Sequence, residues 1–400
     1  MHEEIPNLKK CTLCGKLASD PEHRQSSTDS TDSPPAELTG SPAYPWMKES
    51  FERHASDLFL SATQRPVIKL LNDFIPLRQN PLSAEEVSKI IASILPEKML
   101  NAFRSGQDVD LAIDVKGLAR FRLNTFRQLH GSALAMRPLP HYIPTMDELL
   151  LPKVLNELSR LTSGLILITG PTGCGKSTTL AALIHTINQR DQKNIITIED
   201  PIEYIIPSRR SLIHQREVGT HVTSFANGLR SALREHPDII VVGELRDLES
   251  ISLAIRAAET GHLVLGTLHS TDATQAITRI TDVFDSNRQP QIRVQLAQSL
   301  QGIISQRLFR HANKPKMVVA TEVMIATMAI RTLIRENRTL EIRGYIETGI
   351  REQMNTLRQS VEQRIREGRL DEHCLAELNT NPAHELTDDE IRIHRDQQTH

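Results

Sequence analysis

The feature that most constrains the fold is a glycine-rich turn between an apolar run and a helical pattern. The run GLILIT precedes residues 170–177, GPTGCGKS, and the helix-forming run TTLAALIHTINQR follows them. Gly170, Gly175, Lys176 and Ser177 fit the spacing G-x-x-x-x-G-K-[ST], in which backbone N–H groups and a helix N-terminus surround phosphate oxygens. Because the strand and the helix that this motif requires are both present, the sequence predicts a phosphate loop in an α/β domain.

The loop predicts ATP and Mg²⁺ as cofactors. Lys176 is expected to reach the β- and γ-phosphates, and the Ser177 hydroxyl to ligate Mg²⁺. The residues expected to contact the nucleotide are Gly170, Pro171, Thr172, Gly173, Cys174, Gly175, Lys176, Ser177 and Thr178.

The segment after the loop continues to alternate strand and helix patterns. NIITIED, DIIVVGE and HLVLGTLH are short apolar runs, and SFANGLRSALRE and LESISLAIRAAETG between them have helical character. Apolar strands that alternate with helices imply a parallel sheet covered on both faces. We expect residues 286–372 to be mostly helical, with PQIRVQLAQSLQGIISQRLF as the clearest helix.

The segment before the loop predicts a small α+β domain over residues 52–140. ASDLFLSA, RPVIKLL, VDLAIDV, ARFRLNTF and GSALAMRPLP read as strands, the last three as successive antiparallel ones. SAEEVSKIIASILPEKMLNAFRSG reads as a helix, with Ser83 as N-cap and Glu86 three residues on. A connecting helix is expected over residues 146–162.

Composition limits the remaining choices. A chain of 400 residues predicts two or three domains, and a formal net charge of −2 provides no overall attraction for nucleic acid. Neither a secretory signal nor an apolar run of about 18 residues is visible, so we expect a cytoplasmic protein without an integral membrane segment. Residues 25–45 are rich in Ser, Thr, Asp and Pro and are expected to form a disordered linker. Cys11 and Cys14 form a C-x-x-C that fits either half of a zinc site or a flexible reduced tail.

Two acidic features follow strands of the predicted sheet. Glu244 ends DIIVVGE and fits water-mediated contact with Mg²⁺, orientation of the attacking water, or a structural cap. Glu199, Asp200 and Glu203 close the strand in NIITIEDPIEY, at the edge where parallel sheets bind ligands, and Glu203 is a candidate general base or water positioner. Such a cluster by itself is usually a solvated turn, but its place beside a phosphate loop favours a catalytic role.

Two histidines bracket the strand in TGHLVLGTLHS. His262 and His269 are seven residues apart, which predicts that they lie on opposite faces. His269 is a candidate for sensing the phosphate, whereas His262 is as consistent with helix packing as with a functional role.

Together these runs resemble the secretion and type IV pilus motor ATPases, most closely the PilT-type pilus retraction ATPases of twitching motility. The resemblance rests on GPTGCGKSTTLAAL, ITIEDPIEY, LRSALREHPDIIVVGELRD, AAETGHLVLGTLHS and SLQGIISQRL, and covers residues from about 52 to about 370. It makes 199–203 the Asp box, 238–244 an atypical Walker B motif and 259–269 the His box.

The resemblance implies a fold of two domains, an α/β RecA-like P-loop ATPase domain with a smaller N-terminal PAS-like α+β domain. The chain then divides into a disordered extension (1–50), the PAS-like domain (51–140), a linker or helix (141–163), the ATPase domain (164–372) and a polar tail (373–400).

The resemblance also implies a homo-hexamer that binds ATP between its domains and acts on an inner-membrane platform protein, as a cytoplasmic protein peripheral to that membrane. Arg122 in ARFRLNTF and Arg137 in AMRPLP match the arginines that reach the nucleotide when the domains close. AIRTLIRE at 329–336 resembles the retraction signature, and Arg331 and Arg335 are expected to meet a partner or a neighbouring subunit.

The chain departs from the family pattern at two places. Cys174 replaces the usual serine and adds an oxidisable thiol to the loop, while the first ~50 residues have no counterpart in the core family.

A pilus-assembly or type II/IV secretion ATPase is the main alternative on the same fold. A nucleic-acid translocase is disfavoured, because the arginines in 331–369 alternate with glutamates. A regulatory protein that binds ATP without hydrolysing it remains a third class.

Overall fold

A computed structural model describes residues 38–70, 73–140, 142–314 and 316–378. The predictions for Cys11, Cys14, residues 25–37 and residues beyond 378 lie outside the described residues. The chain divides into two compact units. The first unit joins Met1–Glu148 to Ser177–Leu245, and the second joins Leu149–Lys176 to Arg246–His400.

Both units contain strands and helices. The strands in the described ranges are β1 (Asp57–Ser61), β2 (Val67–Leu70), β3 (Asp73–Pro76), β4 (Val109–Val115), β5 (Ala119–Gln128), β6 (Gly131–Leu139), β7 (Gly164–Thr169), β8 (Asn194–Glu199), β9 (Leu212–Glu217), β10 (Ile239–Val242), β11 (Leu263–Leu268), β12 (Leu300–Arg310) and β13 (Met317–Ile325). The α-helices there are α1 (Tyr44–Glu52), α2 (Ala84–Ile94), α3 (Glu97–Arg104), α4 (Val154–Leu158), α5 (Lys176–Arg190), α6 (Phe225–Ala232), α7 (Leu248–Glu259), α8 (Ala273–Asp282), α9 (Gln289–Ser299), α10 (Met328–Arg335), α11 (Ile342–Thr348), α12 (Leu357–Arg366) and α13 (His373–Glu377). Short 3₁₀ turns cover Leu38–Gly40, Thr339–Glu341 and Ile350–Glu352.

The N-terminal part of the first unit is an antiparallel sheet with helices, as the sequence predicts. Its strand order is β3-β2-β1-β6-β5-β4, and alternate residues of β5 are buried, since one face of the sheet packs on the core. Ser83 forms the expected capping box with Glu86. Strand β3 was missed by the sequence analysis. The likeness of this region to a PAS domain stays a prediction.

Two boundaries in this region need correction. The single helix expected from Ser83 onward is two helices, because Pro96 lacks an N–H and α3 starts after it. Ordered structure begins before residue 50, since Leu38 and Met47 are buried and α1 starts at Tyr44.

The rest of the first unit contains the parallel strands β8, β9 and β10 together with helices α5 and α6. Strand β8 pairs in parallel with β10 on one side and with β9 on the other. All four residues of β10 are buried, which fits a central strand covered on both faces. Strand β9 was not predicted, because its sequence LIHQRE is largely polar.

The second unit contains the strand that leads into the phosphate loop. Its strand order is β13-β12-β7-β11, with β7 parallel to both neighbours and β12 antiparallel to β13. Every residue of β7 and β11 is buried. The predicted parallel sheet is therefore confirmed here, with one antiparallel strand at its edge.

The prediction of a mostly helical region over 286–372 is wrong in its first half. Helix α9 ends at Ser299, and the run LQGIISQRLFR forms β12, with β13 beside it. The predicted connecting helix over 146–162 is reduced to the five residues of α4. Order also continues past residue 372, because α13 buries Cys374 beside Phe309 and Val318.

Candidate active site

The phosphate loop connects β7 to α5 and is held to β12. Gly170 has a φ of +147°, and a Cβ there would lie 2.4 Å from Gln306 O and 2.5 Å from Cys174 Sγ. Gln306 Nε2 donates to Cys174 O at 2.7 Å. A glycine is therefore required at position 170, and Gln306 is a loop-supporting residue that sequence reasoning missed.

The loop lysine is folded onto the loop itself. Lys176 Nζ donates to Gly170 O at 2.8 Å and to Pro171 O at 2.9 Å. The residue is only 9% exposed. These contacts hold the ammonium group above the turn, where phosphate oxygens can replace the two carbonyls as stronger, charged acceptors.

His269 lies beside this lysine. Its Nδ1 is 3.4 Å from Lys176 Nζ and 3.5 Å from Thr172 Oγ1, and its backbone carbonyl accepts from Arg279. Since an ammonium group only donates, Nδ1 acts as the acceptor when this contact forms, which leaves the ring proton on Nε2. His262 instead lies against the end of α7, with Nδ1 3.1 Å from Ala257 O. Of the two histidines, His269 alone is described in contact with the loop.

The thiol of Cys174 is protected. The residue is buried, and this burial raises the pKa of the thiol above its ordinary value, although Lys176 acts in the opposite direction. Because the thiolate is the reactive form, burial and the raised pKa together predict that this thiol reacts slowly in the folded chain, and its oxidation stays a prediction.

In the first unit, the acidic loop after β8 touches the start of α5. Tyr204 Oη lies 2.9 Å from Thr178 Oγ1, two residues beyond the motif lysine. Glu203 precedes Tyr204 and is half-buried. This hydrogen bond brings the loop that carries the candidate base next to the helix whose first turn carries Ser177.

Glu199 does not belong to a solvated cluster. It is partly buried and accepts from Thr197 Oγ1 at 2.6 Å and from Gln215 Nε2 at 3.0 Å. Burial raises the pKa of its carboxyl group, and the two hydrogen bonds oppose that shift only in part. Glu199 is therefore a structural member of the cluster, whereas Asp200 beside it is exposed.

Glu244 lies at the same sheet edge as this loop. Val242 of β10 pairs with Ile198 of β8, and Gly243 N donates to Ile198 O at 2.8 Å. A Cβ on Gly243 would lie 3.1 Å from that carbonyl and 3.3 Å from Glu199 Cα. This close approach explains why a glycine precedes Glu244, which is the carboxylate that follows β10.

Arg122 and Arg137 lie opposite each other on β5 and β6. Arg122 Nη2 donates to Asp110 Oδ2 at 2.8 Å, and Arg137 Nη2 lies 2.8 Å from Asp57 Oδ1. The hydrogen bond with Asp110 raises the pKa of Arg122, and the charges of the acidic loop, at Asp200 and Glu203, add to this effect. The charges of the acidic loop therefore stabilise the charged form of Arg122, while its guanidinium group is hydrogen-bonded to a carboxylate of its own sheet.

The C-terminal signature lies on α10. Ile330, Leu333 and Ile334 of α10 are buried, but Ala329 is exposed. Arg331 donates to the carbonyls of Ala297 and Gln298 in the last turn of α9, and Nη2 donates to Gln301 Oε1 at 3.1 Å.

These contacts distinguish the two signature arginines, whose expected meeting with a partner or a neighbouring subunit stays a prediction. Arg331 binds the end of another helix of its own chain, which satisfies carbonyls that a helix C-terminus leaves without partners. Arg335 is exposed and donates to Thr332 of its own helix. Of the two, Arg335 is the one available to a partner.

Comparisons with known proteins agree on the family. Residues 43–380 match the family model of type II/IV secretion system proteins. A twitching motility protein of Neisseria gonorrhoeae is 42% identical over 76% of this chain and 81% of its own length. The type IV pilus retraction ATPase PilT of Pseudomonas aeruginosa is 44% identical over 77% of this chain and 89% of its own.

A solved structure supports the same assignment. The pilus retraction motor PilT with bound ADP superposes with a TM-score of 0.77 at 42% identity, covering 84% of this chain and 97% of that one. This match confirms the α/β fold class with a RecA-like ATPase domain. Among the described residues, none of the helices is long and apolar enough to cross a bilayer. The chain belongs to the type II/IV secretion system protein family and, within it, to the PilT-type retraction ATPases.

Proposed function

We propose that this chain hydrolyses ATP to ADP and phosphate and uses the energy to retract type IV pili, the basis of twitching motility. The observation that carries the proposal is 44% identity with a pilus retraction ATPase over 89% of that protein's length. The phosphate loop, with its buried lysine and adjacent histidine, supplies the chemistry that such an ATPase needs.

Nucleotide binding falls to the loop from Gly170 to Thr178. The turn fits phosphate oxygens, because position 170 admits no side chain and the loop N–H groups lie at the start of α5. Lys176 Nζ leaves the carbonyls of Gly170 and Pro171 for the β- and γ-phosphates. Ser177 and, through water, Glu244 would hold Mg²⁺, which when bound neutralises charge on the phosphate oxygens.

Hydrolysis requires a positioned water and a place for the developing charge. Glu203 acts as general base or water positioner, and Glu244 orients the same water. Arg122 and Arg137 neutralise charge on the γ-phosphoryl group when the domains close. His269, 3.4 Å from Lys176 Nζ, senses whether the γ-phosphate is present.

The mechanical output follows from the assembly. We propose a homo-hexamer in the cytoplasm, bound at the inner membrane to a pilus platform protein, with domain closure and opening around ATP as the stroke. Nucleic acid is not expected as a partner, because the formal net charge is −2.

Purified protein tests the enzymatic part. We expect Lys176→Ala to abolish ATP binding and Glu244→Gln to retain binding while turnover is lost. Lys193→Ala is the matched control, since it removes a lysine from a partly exposed ion pair with Asp238. Turnover that survives in Glu244→Gln would contradict the proposed role, and strong stimulation by DNA would favour a translocase.

Deletion of the gene in its host tests the biological part. Excess immobile surface pili and loss of twitching would support retraction. Bald cells would show a pilus-assembly motor instead, and normal pili would assign the chain to another machine. Complementation with the Glu244→Gln variant is expected to fail.

A further inference from the structure

One buried carboxylate joins three elements around the candidate site, although neither its residue type nor its spacing marked it in the sequence. Glu217 is the last residue of β9 and is 6% exposed. In the parallel pairing of β8 with β9 it lies opposite Glu199, at the edge where the acidic loop begins.

The first contact of Glu217 is with the acidic loop. Its Oε2 accepts the backbone N–H of Ile202 at 3.0 Å. Ile202 precedes Glu203 in the chain, so this hydrogen bond fixes the peptide next to the candidate base. A buried backbone N–H needs such an acceptor, because an unsatisfied one costs about 1–3 kcal/mol.

The second contact is with the strand that carries Arg122. The same Oε2 accepts from Arg120 Nη2 at 3.1 Å, and the side chains of Arg120 and Glu217 are 16% and 7% exposed. Arg120 Nη1 also donates to Asp114 Oδ2 on β4 at 3.0 Å. Arg120 and Arg122 are two residues apart on β5 and therefore lie on the same face of the sheet.

The third contact is with the turn that follows β9. Glu217 Oε1 accepts from Thr220 Oγ1 at 3.1 Å. Both carboxylate oxygens are thus hydrogen-bonded, and the carboxylate has a guanidinium group as counter-charge. A buried ion pair of this kind fixes geometry, because removing either partner leaves the other charge buried and uncompensated.

From these contacts we propose that Arg120 and Glu217 are positioning residues, which fix the acidic loop at Ile202–Glu203 relative to the strand that presents Arg122. The proposal rests on the function proposed above. Glu217 acts through the Ile202 N–H on Glu203, and Arg120 acts through β5 on Arg122. In the conformation that the structure describes, the pair therefore sets the spacing between the candidate base and the arginine, on which catalysis depends when the domains are closed.

Steady-state ATPase measurements on the full chain test the coupling. We expect Arg120→Ala and Glu217→Gln each to lower kcat about tenfold or more, with the KM for ATP within about threefold, since neither residue is among those proposed to bind the nucleotide. The double variant should lose little more than either single one, because both remove one interaction. Arg120→Lys keeps the charge and is expected to recover part of kcat.

A neighbouring ion pair on the same strand is the control. Arg216 Nη1 lies 2.7 Å from Glu235 Oε1, and the side chains are 25% and 39% exposed. Arg216→Ala and Glu235→Gln are expected to change kcat by less than about twofold, because exposed pairs contribute little. Equal losses in both pairs, or losses from Arg120→Ala and Glu217→Gln that simply multiply, would overturn the proposal.

Hydrogen exchange separates failure of this inference from failure of the proposed function. In the folded protein without nucleotide, Arg120→Ala should speed exchange of the Ile202 amide about tenfold or more, and Arg216→Ala should not. If the wild type turns out not to hydrolyse ATP, this readout still decides whether the pair positions the loop. Unchanged exchange at Ile202 would overturn the proposal.

Discussion

The most quantitative prediction concerns Glu322, a carboxyl group buried in β13. Its Oε1 accepts the backbone N–H of Ala273, the first residue of α8, at 2.9 Å. Burial raises its pKa from 4.5 to about 7. The Ala273 N–H and the charge of Arg343 lower it, whereas Asp272 raises it, so burial outweighs the favourable contacts.

The sign of the effect on stability follows from proton binding. Between pH 4.5 and 7 the folded chain keeps the proton of Glu322, while the unfolded chain has released it. The stability that this proton provides is fully present below pH 4.5 and is lost as the pH rises through 7. For these two pKa values the loss between pH 5 and pH 8 is about 2.5 kcal/mol.

Glu322→Gln removes the titration and keeps an oxygen that can accept from Ala273. We expect the free energy of unfolding of the wild type, relative to this variant, to fall by about 2.5 kcal/mol from pH 5 to pH 8. Urea denaturation followed by circular dichroism at four pH values measures the difference. Glu336→Gln, at an exposed position, is the control.

Parallel curves would refute the reasoning. If the difference between wild type and Glu322→Gln stays within about 0.5 kcal/mol across this range, Glu322 does not hold a proton in the folded state. A difference that grows with pH in favour of the wild type would mean that the charged form is the stabilised one, through the N-terminus of α8.

Three further outcomes follow from the site and the signature. Gly170→Ala should weaken ATP binding about tenfold or more in a titration with a fluorescent ATP analogue, since its Cβ would lie 2.4 Å from Gln306 O; a Kd within twofold would contradict this. Cys174→Ser should leave turnover within about twofold, and the wild-type thiol should resist alkylation in the folded chain, because it is buried; rapid labelling would count against the structure of the loop. Arg331→Ala should lower Tm by about 2–4 °C, as measured by differential scanning calorimetry, because it removes hydrogen bonds to the end of α9. Arg335→Ala should leave Tm unchanged but slow pilus disassembly. The reverse pattern would be inconsistent with the contacts.

The local parts of the fold were predictable from the sequence. The phosphate loop, its strand and its helix occupy adjacent residues, and the glycine and lysine spacing carries the information. The capping box at Ser83 is equally local and was confirmed. Such features depend on neighbours three or four residues away, which a single sequence displays directly.

Strands β12 and β13 show where prediction of secondary structure from the sequence fails. The run LQGIISQRLF is buried over most of its length although it mixes apolar and polar residues, and a run buried on both faces has no period that separates a strand from a buried helix. What decides is the pairing of β12 with β7, which lies far earlier in the chain, in addition to the hairpin that β12 forms with β13. The β-branched Ile303 and Ile304 were the available signal.

The supporting residues of the site were beyond sequence reasoning for a similar reason. Gln306 reaches Cys174 across 132 residues, and Arg120 reaches Glu217 across 97. Partners that are so far apart in sequence form no motif with a fixed spacing. A glutamine or an arginine on a strand is also common without a functional role. The hydrogen bond between Glu199 and Gln215 was hidden for the same reason, because Gln215 lies on a strand that was not predicted.

The pairing of the two candidate arginines bears on how they can act. Asp110 and Asp57 each hold their arginine, Arg122 and Arg137, by two contacts. Both pairs are at least partly exposed, so exchanging the carboxylate for another acceptor costs little, about 0–1 kcal/mol. A triphosphate carries more charge than either carboxylate and can displace both, whereas ADP lacks the γ-phosphate that such an exchange requires. If Arg122 and Arg137 act as proposed, these aspartates keep the guanidinium groups oriented between cycles, and the difference between ATP and ADP decides which partner each arginine holds.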